Sequence, residues 1–372
     1  MSKTINEVDR IAMHYGFETM KVPPIHINGQ LSFRPEEKIS ILNSYLSNNL
    51  RKKNNVSLLY NNQTVLVNNR CKKKTSNCKN FSFDIVGVPN GIAEAIIIKT
   101  AVAVLNEEGF KNISIDINSV GDKESFMSFK NELFSYYKDR ANELHPNCKN
   151  FNKKQVFNLL TCQHKECQAL RTNAPKSIYF LSESSQKHLK EVLEHLESTG
   201  ITYRINDSLI STDNYFSKII FEIKGKNDEQ GDSLLLGKGG RYDELARRII
   251  RKKESSAVGI SLEIKKIRNK KVAPPNKKKP KFYFIQFGPK AKLRSLTIIE
   301  LLRQSGLVIQ QNLYMNKFSD QIEIAKQTKT PYAIILGQKE VSEDTVIVKD
   351  LRKASQKIIA TRDLLPYLQQ LK

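Results

Sequence analysis

The sequence has no tryptophan and few sulfur-bearing residues: five cysteines and five methionines in 372 residues. Cys71, Cys78, Cys148, Cys162 and Cys167 form an odd set in a long chain, which argues against a disulfide framework and leads us to expect reduced thiols. Long apolar runs are missing too. No stretch approaches the roughly 18 or more consecutive apolar residues of a membrane span, so a soluble protein with no membrane partner is expected. Met1 to Arg10 carry Glu7 and Asp9 and lack an apolar stretch, which gives no secretory signal and a cytoplasmic location as the expectation. Negative charge is scarce: 38 Asp and Glu stand against 61 Lys and Arg, a net charge of +23. Such an excess attracts polyanions through a long-range field and counterion release, and makes nucleic acid the natural partner. A lysine- and asparagine-rich composition bias is the bland alternative, and charge alone does not choose between RNA, DNA and an acidic membrane surface.

At this length two or three cooperating domains are expected. Ile5 to Gly16 has helical spacing and a glycine stop, and Phe17 to Ile25 then reads as a strand halted by two prolines. A helix is expected from Glu37 to Leu50, strands at Val56–Val67 and Asn80–Val88 around a lysine-rich turn, a helix at Ala93–Glu108 and a strand at Ile113–Ile117. Amphipathic helical stretches take over between Lys123 and Gly200. Strands resume at Thr202–Ile205, Ser208–Ile210, Lys218–Lys224 and Asp232–Leu236, before a helix at Arg241–Lys252. Lysine and proline dominate Lys265 to Lys281, which reads as a linker. Beyond it, strands at Phe282–Phe287, Leu307–Gln310, Tyr332–Leu336 and Thr345–Lys349 alternate with helices, which implies a small α/β module with a parallel-rich sheet.

The most specific run is Gly239-Gly240-Arg241-Tyr242-Asp243-Glu244-Leu245, followed by Ala257-Val258-Gly259. It offers close backbone approach at two glycines, then a cation, a ring with a hydroxyl and a carboxylate. As bare chemistry the signal is weak, but as a string it resembles the signature near the histidine pocket of histidyl-tRNA synthetases. Other elements follow in that family's order. Glu7 to Ile25 resembles the first class II motif, which builds a dimer interface. Leu31 to Glu36 is similar to the Leu-x-x-Arg-Pro-Glu element, whose glutamate reads the substrate amino group. Asn118-Ser119-Val120-Gly121 looks like the family's Asn-Ser-(Ile or Val)-Gly turn, and Tyr332 to Leu351 resembles its anticodon-binding domain.

The resemblance implies an α/β fold with an α+β core: a class II synthetase antiparallel sheet of six or seven strands (1–122 and 201–267), a helical insertion (123–200), a linker (268–281) and a C-terminal α/β anticodon-binding-like domain (282–372). It implies a homodimer and a histidine pocket that includes Glu36, Tyr215, Arg241 and Tyr242. Lys72, Lys73 and Lys74, with Lys349 and Arg352, become candidates for contact with tRNA or another structured RNA.

Departures from the family pattern fall on its catalytic positions. Amino-acid activation needs arginines that hold ATP phosphates and neutralise developing charge. The third-motif arginine is Lys266, a point charge without the planar fork, and the preceding glycine is Glu263. The histidyl-specific arginine is Ser211, and the second motif leaves Arg70 as the possible survivor. Phe83 and Gly87 stand where two polar substrate contacts are expected. These substitutions weigh against ordinary aminoacylation, for which ATP and Mg would be the cofactors. A divergent active histidine–tRNA ligase is the alternative, and a histidine-sensing protein resembling the regulatory subunit of ATP phosphoribosyltransferase is the second. Cys148, Cys162, His164 and Cys167 carry zinc-ligand chemistry, but their spacing is not that of paired Cys-x-x-Cys knuckles, and the expectation is ordinary buried residues and no metal.

Overall fold

The computed structural model describes residues 5–22, 35–47, 56–68, 75–210, 215–227, 230–252, 254–264, 271–272, 280–353 and 355–371. The first part of the chain forms β1 (Ile5–Asn6), α1 (Glu7–His14), β2 (Glu18–Thr19), α2 (Pro35–Ser47), β3 (Ser57–Asn68), β4 (Thr75–Val86), α3 (Ile92–Glu107) and β5 (Lys111–Gly121). Three helices follow, α4 (Lys123–Asp139), α5 (Lys165–Thr172) and α6 (Glu183–Ser198), with short 3-10 turns between them. The chain then returns as β6 (Tyr203–Ile205), β7 (Ser217–Asn227), β8 (Gln230–Arg241), α7 (Asp243–Ile250), β9 (Ala257–Ile264) and β10 (Lys271–Val272). The last part runs β11 (Phe282–Gln286), α8 (Pro289–Gln304), β12 (Ile309–Gln311), α9 (Phe318–Gln327), β13 (Tyr332–Leu336), α10 (Gln338–Ser342), β14 (Thr345–Asp350), β15 (Gln356–Ala360) and α11 (Leu364–Gln370).

The large sheet has eight strands in the order β2-β3-β4-β9-β8-β7-β5-β6, more than the six or seven expected from the sequence. Only the edge pairs β2–β3 and β5–β6 are parallel. Helix α3 covers one face of this sheet. Its sequence is apolar on almost every side because it is enclosed by β4 and β9, by α1 and by α6, so a helix without an amphipathic stripe is what burial demands. Alternation along β4 sorts its side chains: Phe81, Phe83 and Ile85 join the core that holds α1 and α3, while Ser82 and Asp84 face the opposite side, under α2.

The C-terminal sheet has the order β12-β11-β13-β14-β15. Two of its pairings are parallel and two antiparallel, which corrects the expectation of a parallel-rich sheet. The difference comes from β15, a solvent-facing edge strand whose Ile358 is 63% exposed and which offers little apolar alternation to read. Residues 208–210, expected as a strand, form a turn instead, closed by the Leu209 amide on the Asn206 carbonyl (2.9 Å) and by Asn118 donating to the Leu209 carbonyl (3.1 Å). Helix α8 joins the two sheets. His14 Nε2 donates to the Ile299 carbonyl (3.1 Å), Tyr15 bonds the Glu300 carboxylate, and Ser198 and Thr297 exchange bonds with the backbone across the same contact.

Candidate functional site

Helix α2 begins with Pro35 and places Glu36 and Glu37 in its first turn, where unpaired amides and the helix dipole favour both choices. Its Ile41, Leu42 and Tyr45 pack onto Met20, Leu59, Val86, Tyr242 and Ala246, which fixes the helix over the sheet. That packing buries Lys38 completely. The Lys38 ammonium lies 2.7 Å from Asp84 Oδ1 and 3.2 Å from Ser82 Oγ, and sits 5.9 Å from the centroid of the Tyr242 ring. Ser82 donates to Asp84 Oδ2 (2.6 Å) and Tyr242 donates to Asp84 Oδ1 (2.8 Å). One buried carboxylate therefore accepts from an ammonium and two hydroxyls. Gly259 lies opposite Asp84 on β9, and a Cβ there would fall 1.8 Å from Asp84 Oδ1, so only glycine leaves room for the carboxylate. At the edge of this chamber Glu37 accepts from Ser261 Oγ (2.5 Å) and Asn80 Nδ2 (3.3 Å). Burial lifts the Glu37 carboxyl above the ordinary glutamate range against the pull of Lys38, and burial with the adjacent Asp84 lifts the Tyr242 phenol well above its usual value.

Arg241 is the last residue of β8, and Tyr242 and Asp243 then turn into α7, so the three signature side chains diverge rather than share one turn. Arg241 points away from the chamber, toward α3. Its Nε and Nη2 clamp Glu94 at 2.7 Å each, and its remaining N–H groups reach the Val88 and Asn90 carbonyls and Asp243 Oδ1. All five donors are used, and both Arg241 and Glu94 are 0% exposed. His188 adds a contact to Glu94 at 2.8 Å. Burial alone would raise the Glu94 carboxyl, but Arg241 and His188 beside it hold it far below the usual carboxylate range.

The structure thus separates residues that the sequence grouped as one pocket. Tyr242 lines the chamber. Tyr215 is buried close by, its ring stacked 4.4 Å from that of Phe216. Arg241 is a structural clamp with no donor left for a ligand, which corrects its reading as a pocket residue. Glu36 is solvent-exposed on the first turn of α2, and its neighbours Glu37 and Lys38 are the ones turned inward. Phe83 is likewise no substitute for a polar contact, because it belongs to the core face of β4 and stacks on Tyr60 at 5.1 Å. Arg70, Lys72, Lys73, Lys74, Ser211 and Lys266 lie outside the described residues. Lys38, Asp84, Glu94 and His188 were missed by sequence reasoning. The alternation of Phe81-Ser82-Phe83-Asp84 was the available signal for Asp84, since two polar side chains on one face of a central strand need partners.

On the C-terminal domain Arg352 is exposed and Lys349 half-buried. The Arg352 guanidinium forks onto Asp350 (3.2 and 3.0 Å), donates to the Tyr332 hydroxyl (3.0 Å) and covers that ring at 5.1 Å. Lys357 stands 5.7 Å over the Tyr367 ring. Cations laid on aromatic rings at a surface are a form suited to stacking and phosphate contact, although Asp350 balances part of the charge. Among the described residues an open cleft of about 410 Å³ also lies between α5 and β6, with Arg171, Lys176 and Arg204 on its walls.

Comparison with known proteins matches the chain in two consecutive segments. Residues 18–267 match the family described as Histidyl-tRNA synthetase, and residues 272–371 match the Anticodon binding domain. The chain is 25% identical over 340 residues to the histidine–tRNA ligase of Dehalococcoides mccartyi, covering 90% of this chain and 81% of that one. It is 29% identical over 281 residues to the histidine–tRNA ligase of Halothermothrix orenii, covering 75% and 67%. The apo histidyl-tRNA synthetase of S. aureus superposes with a TM-score of 0.52 at 19% identity, covering 97% of this chain and 93% of that one, which shows a shared fold. The fold is that of a class II synthetase with an added anticodon-binding domain. No described helix is long and apolar enough to cross a membrane. With two thirds of its length in the synthetase match and most of the rest in the anticodon match, the chain belongs to the histidyl-tRNA synthetase family.

Proposed function

We propose that this protein binds tRNA or another structured RNA through its C-terminal domain and basic surface, as a homodimer in the cytoplasm, without efficient activation of an amino acid. One observation carries the second half of this reading. The polar chamber beside Tyr242 is filled by the chain's own ammonium, Lys38, which uses the carboxylate and hydroxyl that a free amino group would need. An incoming ammonium would have to displace a fully buried ion pair, and breaking such a pair typically costs about 3–5 kcal/mol. The substitutions at Ser211 and Lys266 act in the same direction, since each removes an arginine from a phosphate clamp.

The net charge of +23, the anticodon-domain match and the ring-stacked cations at Arg352 and Lys357 support RNA as the partner. Filter binding over a salt series tests it: affinity for tRNA should fall steeply with salt and exceed that for random RNA of equal length. Equal affinity for the two RNAs would refute the reading. The names of the relatives favour a second one, a divergent but active ligase using ATP and Mg. In that case the chain must move Lys38 out of the chamber before histidine enters.

A further inference from the structure

We infer that the insertion holds a zinc ion bound by Cys148, Cys162, Cys167 and His164. These residues come from three separate pieces of chain: a 3-10 turn at Pro146–Cys148, the end of the 3-10 turn at Val156–Thr161, and the start of α5. The fold nevertheless brings their three sulfurs and one imidazole nitrogen within 4.8 Å of one another. Cys148 Sγ is 3.6 Å from Cys162 Sγ and 3.5 Å from His164 Nδ1, and Cys162 Sγ is 3.1 Å from the same nitrogen.

The three separations among Cys148, Cys162 and His164 come near those of a tetrahedron, and Cys167 Sγ lies within reach as the fourth corner. With zinc–sulfur bonds of roughly 2.3 Å and zinc–nitrogen bonds of roughly 2.0 Å, ligand atoms stand about 3.8 Å apart for two sulfurs and about 3.5 Å for a sulfur and a nitrogen. Three soft thiolates and one imidazole are a zinc set, and their closed, four-membered arrangement is that of a structural site. The surroundings suit the role. The His145 ring stacks on His164 at 3.7 Å with an interplanar angle of 6°, which fixes the imidazole's direction.

The insertion has a use for such a clip. Between α4 and α6 it contains one helix of eight residues and several 3-10 turns, and its apolar cluster is small and separate from the main core. Cys167 is part of that cluster and Cys148 and Cys162 pack against its edge, but His164 is exposed, so apolar burial does not explain why its imidazole joins the three thiols. A metal would tie the exposed turns to α5 and through it to Phe157 and Leu160 below.

Zinc content of the full chain, purified under reducing conditions and measured by elemental analysis, is the test. One zinc per chain is expected, released by a mercurial reagent as three thiols are titrated. Cobalt exchanged into the site should give the visible bands of a tetrahedral thiolate complex. His164→Ala, at an exposed position, should keep the fold and weaken zinc binding at least about tenfold in competition with a chromophoric chelator. Cys71→Ser and Cys78→Ser should leave the zinc in place. Substoichiometric zinc with an octahedral cobalt spectrum, a Cys148–Cys162 disulfide in the mass of the purified chain, or zinc retained unchanged in a folded Cys162→Ser variant would each overturn the assignment.

Discussion

The chamber under α2 and the cluster in the insertion are both made of polar side chains drawn from distant parts of the chain, but they differ in how fully those side chains satisfy one another. In the chamber, Asp84 receives Lys38, Ser82 and Tyr242. Behind the sheet, Arg241 spends all five donors on Glu94, Asp243 and two carbonyls. In the insertion, three thiols and one imidazole nitrogen converge, and the hydrogen bonds open to them are weak ones through sulfur. A network complete in itself holds the fold together and has little to offer a ligand. A set of convergent lone pairs asks for a cation. The family signature lies in the complete network, so its retention speaks for architecture, while the incomplete set lies outside that signature.

The largest effect should come from breaking the complete network at its most buried point. Arg241→Met leaves the Glu94 carboxylate without its clamp in a site with no exposure, and should destabilise the protein by about 3–5 kcal/mol in chemical denaturation. A loss under 1 kcal/mol would mean that Arg241 is not the clamp described. Lys38→Met should cost about as much, because it strands Asp84. Adding Asp84→Leu should restore part of the loss, so that the double variant is less damaged than the two single changes summed. Strict additivity would show that the pair does not act as a unit.

Acidification should loosen a third contact, the one between the two sheets. Burial depresses His14 to about 4, with Arg303 and Arg10 adding to the effect and the Ile299 carbonyl and Glu300 opposing it. Burial, together with Lys292, depresses His195 to about 4 as well. A histidine whose folded pKa is depressed stays neutral in the fold while the unfolded chain takes up a proton. Stability is therefore complete above the ordinary value of 6.5 and falls as pH drops from there toward 4, by about 1.4 kcal/mol per unit for each histidine. Hydrogen exchange of α8 should accelerate over that window, and His14→Gln should flatten the dependence.

The smallest effect should be at the open surface. Arg352→Ala is expected to change stability by less than about 1 kcal/mol, since its pair with Asp350 is exposed, while lowering the slope of RNA affinity against salt by about one unit. An unchanged slope would place the RNA elsewhere on the molecule.

Much of this architecture was legible in the sequence, because the order of short motifs from Glu7 to Leu351 is a property of the whole chain. The long apolar helix at Ile92–Glu107 and the strand at Tyr332–Leu336 were readable from pattern alone. Side-chain direction was less accessible. Reading Gly239 to Asp243 as one unit concealed that a strand end sends Arg241 and Tyr242 to opposite faces. Matching Glu36 by position gave no sign that the helix turns Glu37 and Lys38 inward instead. Cys148, Cys162, His164 and Cys167 were legible as zinc-ligand chemistry, but spacings of 14, 2 and 3 residues, joined by turns that carry no hydrophobic period, gave no sign that they converge. Strand β15 was hidden by its exposure.

Histidine-dependent exchange of pyrophosphate into ATP tests the central claim most directly, because it reports amino-acid activation without requiring the correct tRNA. With folded, full-length protein the expected result is no exchange above a control lacking histidine. Exchange that rises with histidine and is abolished by Lys266→Ala would contradict the account.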